Sequence, residues 1–237
     1  MRRAPVPIVI LLAVLVLAAC GKDDPLEAGT QSATTPVAAT TTIPPRSARD
    51  GCEAVAAPEP KDPNAKRSKK MLSEKGTYVA VLDTNCGTIR IQLANARAPK
   101  TTSSFASLVR QRFYDGLTFH RIAKPGGNDY VIQGGDPLLN GNGGPGYSVV
   151  EKPASKTRYV KGVVAMAKTA AEAPGTSGSQ FFIVTAPEAP LPAEYAILGR
   201  VVGGEKTVRR IARLATDPAT EMPLDPVVIK SIKIEKR

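Results

Sequence analysis

From Thr77 onward the chain is a succession of short strand-like pieces punctuated by glycine, a texture that restricts it to a sheet-built fold with few helices. Thr77–Leu82 and Thr88–Leu93 alternate apolar and polar residues on either side of a turn holding Asn85-Cys86-Gly87, the pattern of a hairpin with one buried face. Leu117–Ile122, Tyr130–Gln133, Gly162–Ala167, Gln180–Thr185 and Tyr195–Val202 follow as further strand-like pieces, and Val227–Ile234 alternates as a closing strand. Only two stretches carry helical spacing. Pro99 opens the first, with Phe105, Leu108, Val109 and Phe113 in step, and Val208, Ile211, Ala212 and Leu214 mark the second over Lys206–Leu214. About eight strands and two well-separated helices predict a mainly β fold, a closed eight-stranded antiparallel barrel capped by two α-helices.

The preceding residues are of another kind. Arg2 and Arg3 give a positive start, and a continuous apolar run follows from Ile8 to Ala19. Twelve residues are too few to cross a bilayer as a helix, which takes about twenty, but they suit the apolar region of a secretory signal. The ending Leu17-Ala18-Ala19-Cys20-Gly21 resembles a bacterial lipoprotein signal. That resemblance implies that residues 1–19 are removed, that Cys20 becomes a lipidated N-terminus, and that the chain is held at the extracytoplasmic face of a bacterial cell membrane. Residues 20–75 are rich in Ala, Thr, Pro and Ser and poor in Leu, Ile and Phe, so they are expected to form a disordered tether. A coil of that length spans on the order of 40 Å. The folded domain is then expected over 76–237. Cys52 in the tether and Cys86 in the first hairpin could pair outside the cytoplasm or remain two separate thiols, and both readings stay open.

Charge excludes little by itself. The formal net charge is +11, of which Arg2 and Arg3 belong to the segment read as cleaved. The remaining cations are spread along the chain, are not interleaved with stacking aromatics, and show no helix-turn-helix or zinc-finger spacing, so no nucleic-acid partner is expected. The single histidine, His120, cannot make a metal site with the usual ligands, and no cofactor or metal is expected. The glycine-rich run Gly141-Asn142-Gly143-Gly144 has no following Gly-Lys-Ser/Thr and opens no helix, so a phosphate loop is not indicated. Ser177 and Ser179 likewise do not sit in a nucleophile elbow.

One reaction needs none of these parts. Rotation about an X–Pro amide faces a barrier of roughly 18–20 kcal/mol. Lowering it takes a dry pocket for the proline ring and a donor that favours the twisted bond over the planar one. Phe119-His120-Arg121-Ile122, Gln133-Gly134-Gly135-Asp136-Pro137, Ala165-Met166-Ala167 and Gly178-Ser179-Gln180-Phe181-Phe182-Ile183 resemble the cyclophilin family in order and approximate spacing, over about residues 77–235. The resemblance implies a peptidyl-prolyl cis-trans isomerase that acts on proline-containing segments of exported or unfolded polypeptides; nothing in the sequence reports on self-association, and a monomer is expected. The alternative is a chaperone or scaffold that grips such segments with little turnover. It further implies that Arg121 is the catalytic donor at the prolyl nitrogen and that Gln133 holds the substrate backbone and orients Arg121. Tyr130, Val131, Phe182, Leu191 and Tyr195 would line the pocket, with Ala167, Lys168 and Gln180 along the groove before the proline. Phe181 is read as core and His120 and Asp136 as supports. The chain departs from the best-known members in a longer loop over 123–129, in Tyr130 and Val131 for the commoner Phe and Met, in Tyr195 for a histidine, and in Pro190 for a tryptophan on which cyclosporin binding relies.

Overall fold

The computed structural model describes residues 50–237. The signal segment, Cys20 and the first part of the tether lie outside the described residues. The elements are β1 (Tyr78–Thr84), β2 (Gly87–Leu93), α1 (Pro99–Arg110), β3 (Arg121–Ala123), β4 (Val131–Gly134), β5 (Val149–Val150), β6 (Tyr159–Val160), β7 (Val163–Met166), β8 (Thr176–Ser177), β9 (Phe181–Val184), β10 (Glu188–Ala189), β11 (Ile197–Gly203), α2 (Glu205–Arg213) and β12 (Ile229–Lys236). Eight strands form one antiparallel sheet in the order β12-β1-β2-β11-β7-β9-β4-β3, while β5–β8 and β6–β10 are separate two-stranded pairs.

Alternation along the strands sorts the side chains into two apolar clusters. Ile122, Ile132, Val164, Met166, Phe181 and Ile183 point into the main core with Phe105, Tyr114 and Phe119, whose rings meet Phe181 or one another at 5.0–6.0 Å. Their neighbours Ala123, Val131, Val163, Ala165, Phe182 and Val184 point the other way, into a smaller cluster on the outer face. Helix α1 begins at Pro99, whose missing N–H costs nothing in the first turn, and it supplies Phe105, Leu108 and Val109 to the main core. Helix α2 supplies Val208, Ile211 and Ala212. It starts from Gly204 at φ 83°, where a Cβ would meet the Thr88 carbonyl oxygen at 2.2 Å, so only glycine fits.

The expected closure of the barrel is not found. The edge strands β12 and β3 do not pair; β12 and the residues just before it meet the segment before β3 through an isolated bridge between Thr118 and Val228 and a few backbone bonds, Gly116 N donating to Ile229 O, Ile229 N to Leu117 O and Phe119 N to Val227 O, each at 2.8 Å. The reason lies in the residues that lead into β12. Pro223 and Pro226 have no N–H to offer a ladder, and the Ile122 N–H goes instead to Glu221 O at 2.9 Å. The sheet is a curved, open half-barrel.

Residues 50–75 correct a second expectation. They form no helix or strand, but they are not free. Cys52 is buried and joined to Cys86 by a disulfide, with Cα atoms 4.1 Å apart. Glu53 N donates to Asn85 O, Lys61 N to Pro137 O and Ala65 N to Pro145 O, at 2.7–3.0 Å. Lys61 Nζ reaches the Phe113 and Asp115 carbonyls, and buried Leu72 donates its N–H to Ser103 Oγ at 2.9 Å. The segment is a strap held by a few anchors, which an average over its composition hides.

Candidate active site

Strand register assembles the site. Arg121 on β3 stands opposite Gln133 on β4, Gln133 opposite Phe182 on β9, Phe182 opposite Ala165 on β7, and Ala165 opposite Ile197 on β11. Directly paired residues share a face, so five strands contribute one row of side chains to the outer surface. At one end of that row is a cation, then an amide, then a phenyl ring on an apolar floor.

The polar end is a chain of hydrogen bonds. Arg121 Nη1 donates to Gln133 Oε1 at 3.4 Å, Gln133 Nε2 to Gln180 Oε1 at 2.9 Å, and Gln180 Nε2 to the carbonyls of Gly141 and Gly143, both at 2.8 Å. Those carbonyls are presented by a loop wound around the buried Asp136 carboxylate, which accepts from the N–H groups of Leu138 and Asn140 at 2.9 Å and from Gly141. Gly143 is obligatory there, since a Cβ would come within 2.0 Å of Asp136 Oδ1. On its other side Arg121 Nε donates to Glu221 Oε2 at 2.6 Å. Both members of that ion pair are partly exposed.

The apolar end is a cup. Val131 and Phe182 are buried in the outer cluster, with Tyr130, Ala167, Leu191 and Tyr195 packed around them. The Tyr195 ring stands edge-on to Phe182 at 5.4 Å, and both lie near Tyr159, at 5.9 and 6.3 Å. Tyr159 is fully buried; its hydroxyl donates to Tyr195 O at 2.8 Å and accepts from Tyr195 N at 2.9 Å, pinning that residue's backbone. Lys168 lies 5.7 Å from the Tyr195 ring centre, pairs with Glu194 at 3.1 Å and donates to the carbonyls of Thr169 and Glu172. Its ammonium is thus occupied locally. The long loop 123–129 does not disturb this arrangement: Lys124–Asn128 fold into a tight turn with Gly126 and Gly127 in the left-handed region, Val131 pairs with both Ala123 and Val184, and Tyr130 O accepts from Thr185 N at 3.0 Å.

Residues 79–234 match the family described as cyclophilin type peptidyl-prolyl cis-trans isomerase/CLD. Peptidyl-prolyl cis-trans isomerase B of Streptomyces anulatus is 39% identical over 176 residues, which covers 67% of this chain and 97% of that protein. Peptidyl-prolyl cis-trans isomerase A of Mycobacterium tuberculosis is 37% identical over 180 residues, 68% of this chain and 94% of the relative. This chain belongs to the cyclophilin family. A crystal structure of a cyclophilin type isomerase from Cryptosporidium parvum superimposes with a TM-score of 0.61 at 30% identity, covering 68% of this chain and 99% of the other.

As a cyclophilin, the chain is a peptidyl-prolyl cis-trans isomerase. Of the ten residues expected at the site from the sequence, Arg121, Gln133, Tyr130, Val131, Ala167, Gln180, Phe182, Leu191 and Tyr195 fall in this row, its cup or the adjoining hydrogen-bond chain, while Lys168 lies beside the cup at Tyr195 with its ammonium bound locally. Two residues were not anticipated. Tyr159 carries no local sign of its place under the cup, and Glu221 meets Arg121 across 100 positions of sequence. His120 is buried with neither ring nitrogen hydrogen-bonded to protein, and that burial pushes its imidazole below its ordinary pKa.

Proposed function

We propose that Arg121 is the donor that lowers the isomerisation barrier, that Gln133 holds it, and that the cup of Val131, Phe182, Leu191, Tyr130 and Tyr195 receives the proline ring. As the X–Pro bond twists, resonance is lost and the prolyl nitrogen regains its lone pair. A guanidinium next to the cup can donate to that lone pair, an interaction absent from the planar ground state, and so favours the transition state selectively. No covalent step is needed. The observation that carries this reading is the single cross-strand row in which Arg121, Gln133 and Phe182 are successive partners. Proline-containing peptides as ligands are supported by the Cryptosporidium parvum isomerase, also crystallised in the presence of the dipeptide Ala-Pro. A proline-isomerisation assay coupled to proteolysis, comparing the native domain with Arg121→Ala, tests the assignment. The variant is expected to lose about tenfold to a thousandfold in kcat/KM, since one transition-state donor is worth up to ~4 kcal/mol. Equal rates would remove Arg121 from the mechanism.

The same reading places the enzyme outside the cytoplasm as a monomer, tethered through lipid on Cys20 and working on exported or unfolded polypeptides. The Leu-Ala-Ala-Cys signal supports it, and so does the Cys52–Cys86 disulfide, a bond that persists in oxidising compartments. Fractionation of a Cys20→Ala protein is the test: release from the membrane pellet is expected, and full retention there would exclude anchoring at that residue.

A further inference from the structure

Glu221 sits where a glutamate is not at ease. Its φ is 59°, in the left-handed region that residues with a Cβ seldom occupy. Its surroundings hold it there. Glu221 N donates to Asp217 O and Glu221 O accepts from Ile122 N, both at 2.9 Å, so the residue is tied by its backbone to β3 immediately beside Arg121. The turn beneath it is built by Asp217, whose Oδ1 accepts from Ala219 N, Thr220 N and Thr220 Oγ1 at 2.8–2.9 Å. Asp217 N closes the turn on Met222 O at 2.8 Å, and Leu224 N on Ala215 O at 2.9 Å. From this frame the Glu221 carboxylate reaches Arg121 Nε at 2.6 Å.

A guanidinium has five N–H donors in a rigid plane. Here Nε is held by Glu221 and one Nη1 hydrogen by Gln133, two acceptors at separate nitrogens. Together they fix both the position and the plane of the group, whereas either alone would leave it free to pivot. Nη2 keeps both hydrogens without a protein acceptor among the described residues. We propose that Glu221 is a positioning residue of the isomerase: it braces Arg121 from the side away from Gln133, so that the uncommitted N–H groups are delivered to the twisting bond. This rests on Arg121 being the transition-state donor. It assigns a function to the turn 217–222 and its strained residue.

The experiment is a set of kcat and KM measurements on Glu221→Gly, Glu221→Gln, Arg121→Ala and the Arg121→Ala/Glu221→Gly double variant, with thermal midpoints for each. Glycine accepts the left-handed turn without steric cost, so Glu221→Gly tests the carboxylate with the fold intact. It is expected to lose about tenfold in kcat/KM, chiefly in kcat, within the hundredfold that a 1 Å misplacement can cost. Glu221→Gln offers an amide oxygen to the same Nε and is expected to recover most of the loss. In the Arg121→Ala background the glycine substitution should change nothing. Native activity in Glu221→Gly, a glutamine variant as slow as the glycine one, or an undiminished effect in the double variant would each overturn the proposal. Native activity in Arg121→Ala would instead overturn the reading of Arg121 itself.

Discussion

His120 is the sole histidine of the chain, and its burial decides how stability responds to mild acid. Its pKa is lowered from 6.5, first by burial, with Arg121 adding to the effect and Asp136 opposing it. Below 6.5 the unfolded chain takes up a proton that the folded chain refuses, so folding is progressively disfavoured as pH falls from 6.5 to the folded pKa. Above that range the residue contributes no pH dependence. Thermal midpoints measured between about pH 7.5 and 5 should therefore fall less steeply in His120→Gln than in the native protein, and parallel slopes would show that another group is responsible. Tyr159 acts at the same scale through its hydroxyl. Tyr159→Phe leaves the Tyr195 N–H and carbonyl unpartnered at the cup, at a cost of about 1–3 kcal/mol in stability. A raised KM with kcat largely kept is the expected kinetic result, because the ring walls move while Arg121 does not.

Among the elements, the loop 136–146 holds Gln180 through the carbonyls of Gly141 and Gly143. Gly143→Ala would push a methyl group into Asp136 Oδ1, forcing the loop away from the two carbonyls that hold Gln180. Overpacking of this kind costs about 1–3 kcal/mol, and kcat/KM should fall with the thermal midpoint. A Gly143→Ala protein with native values of both would mean that the loop can yield at no cost. The eight sheet strands and both helices were legible in the sequence: β1, β2 and β12 through their alternation, the helices through their spacing, and the shorter strands as strand-like pieces punctuated by glycine. Phe181 and Phe182 were separable because adjacent strand residues face opposite sides. Strands β5, β6, β8 and β10 are two residues long, too short to show any period, and none was expected. Closure was misjudged because counting strands does not reveal whether the last can reach the first; Pro223 and Pro226 were the available sign. Glu221 and Tyr159 were illegible for a different reason. Their value lies in contacts 100 and 36 positions away, which only the folded chain brings about.

For the molecule as a whole, the covalent link between Cys52 and Cys86 ties a segment without regular structure to the hairpin of β1 and β2, across 34 positions. Such a crosslink restricts the unfolded chain and is typically worth about 2–4 kcal/mol. Cys52→Ala/Cys86→Ala should therefore melt about 5–15 °C lower by calorimetry. Its kcat/KM at about 25 °C should stay near native, since neither residue belongs to the row or the cup. An unchanged midpoint would show that the strap is held by its hydrogen bonds alone. The reading of 20–75 as uniformly tether-like failed over 50–75 because composition averages away single anchors such as Cys52, Lys61 and Leu72.

The disulfide also determines where mechanical force can go. Between residues 52 and 86 there are two routes, one through the sulfurs and one through the strap and β1, and the short route goes taut first. Tension arriving from the N-terminal side is thus handed at Cys52 to the tip of the hairpin. The strap beyond it stays slack. Its bonds to Pro137 and Pro145, which flank the loop behind Gln180, are shielded from any tug on the chain's leading end.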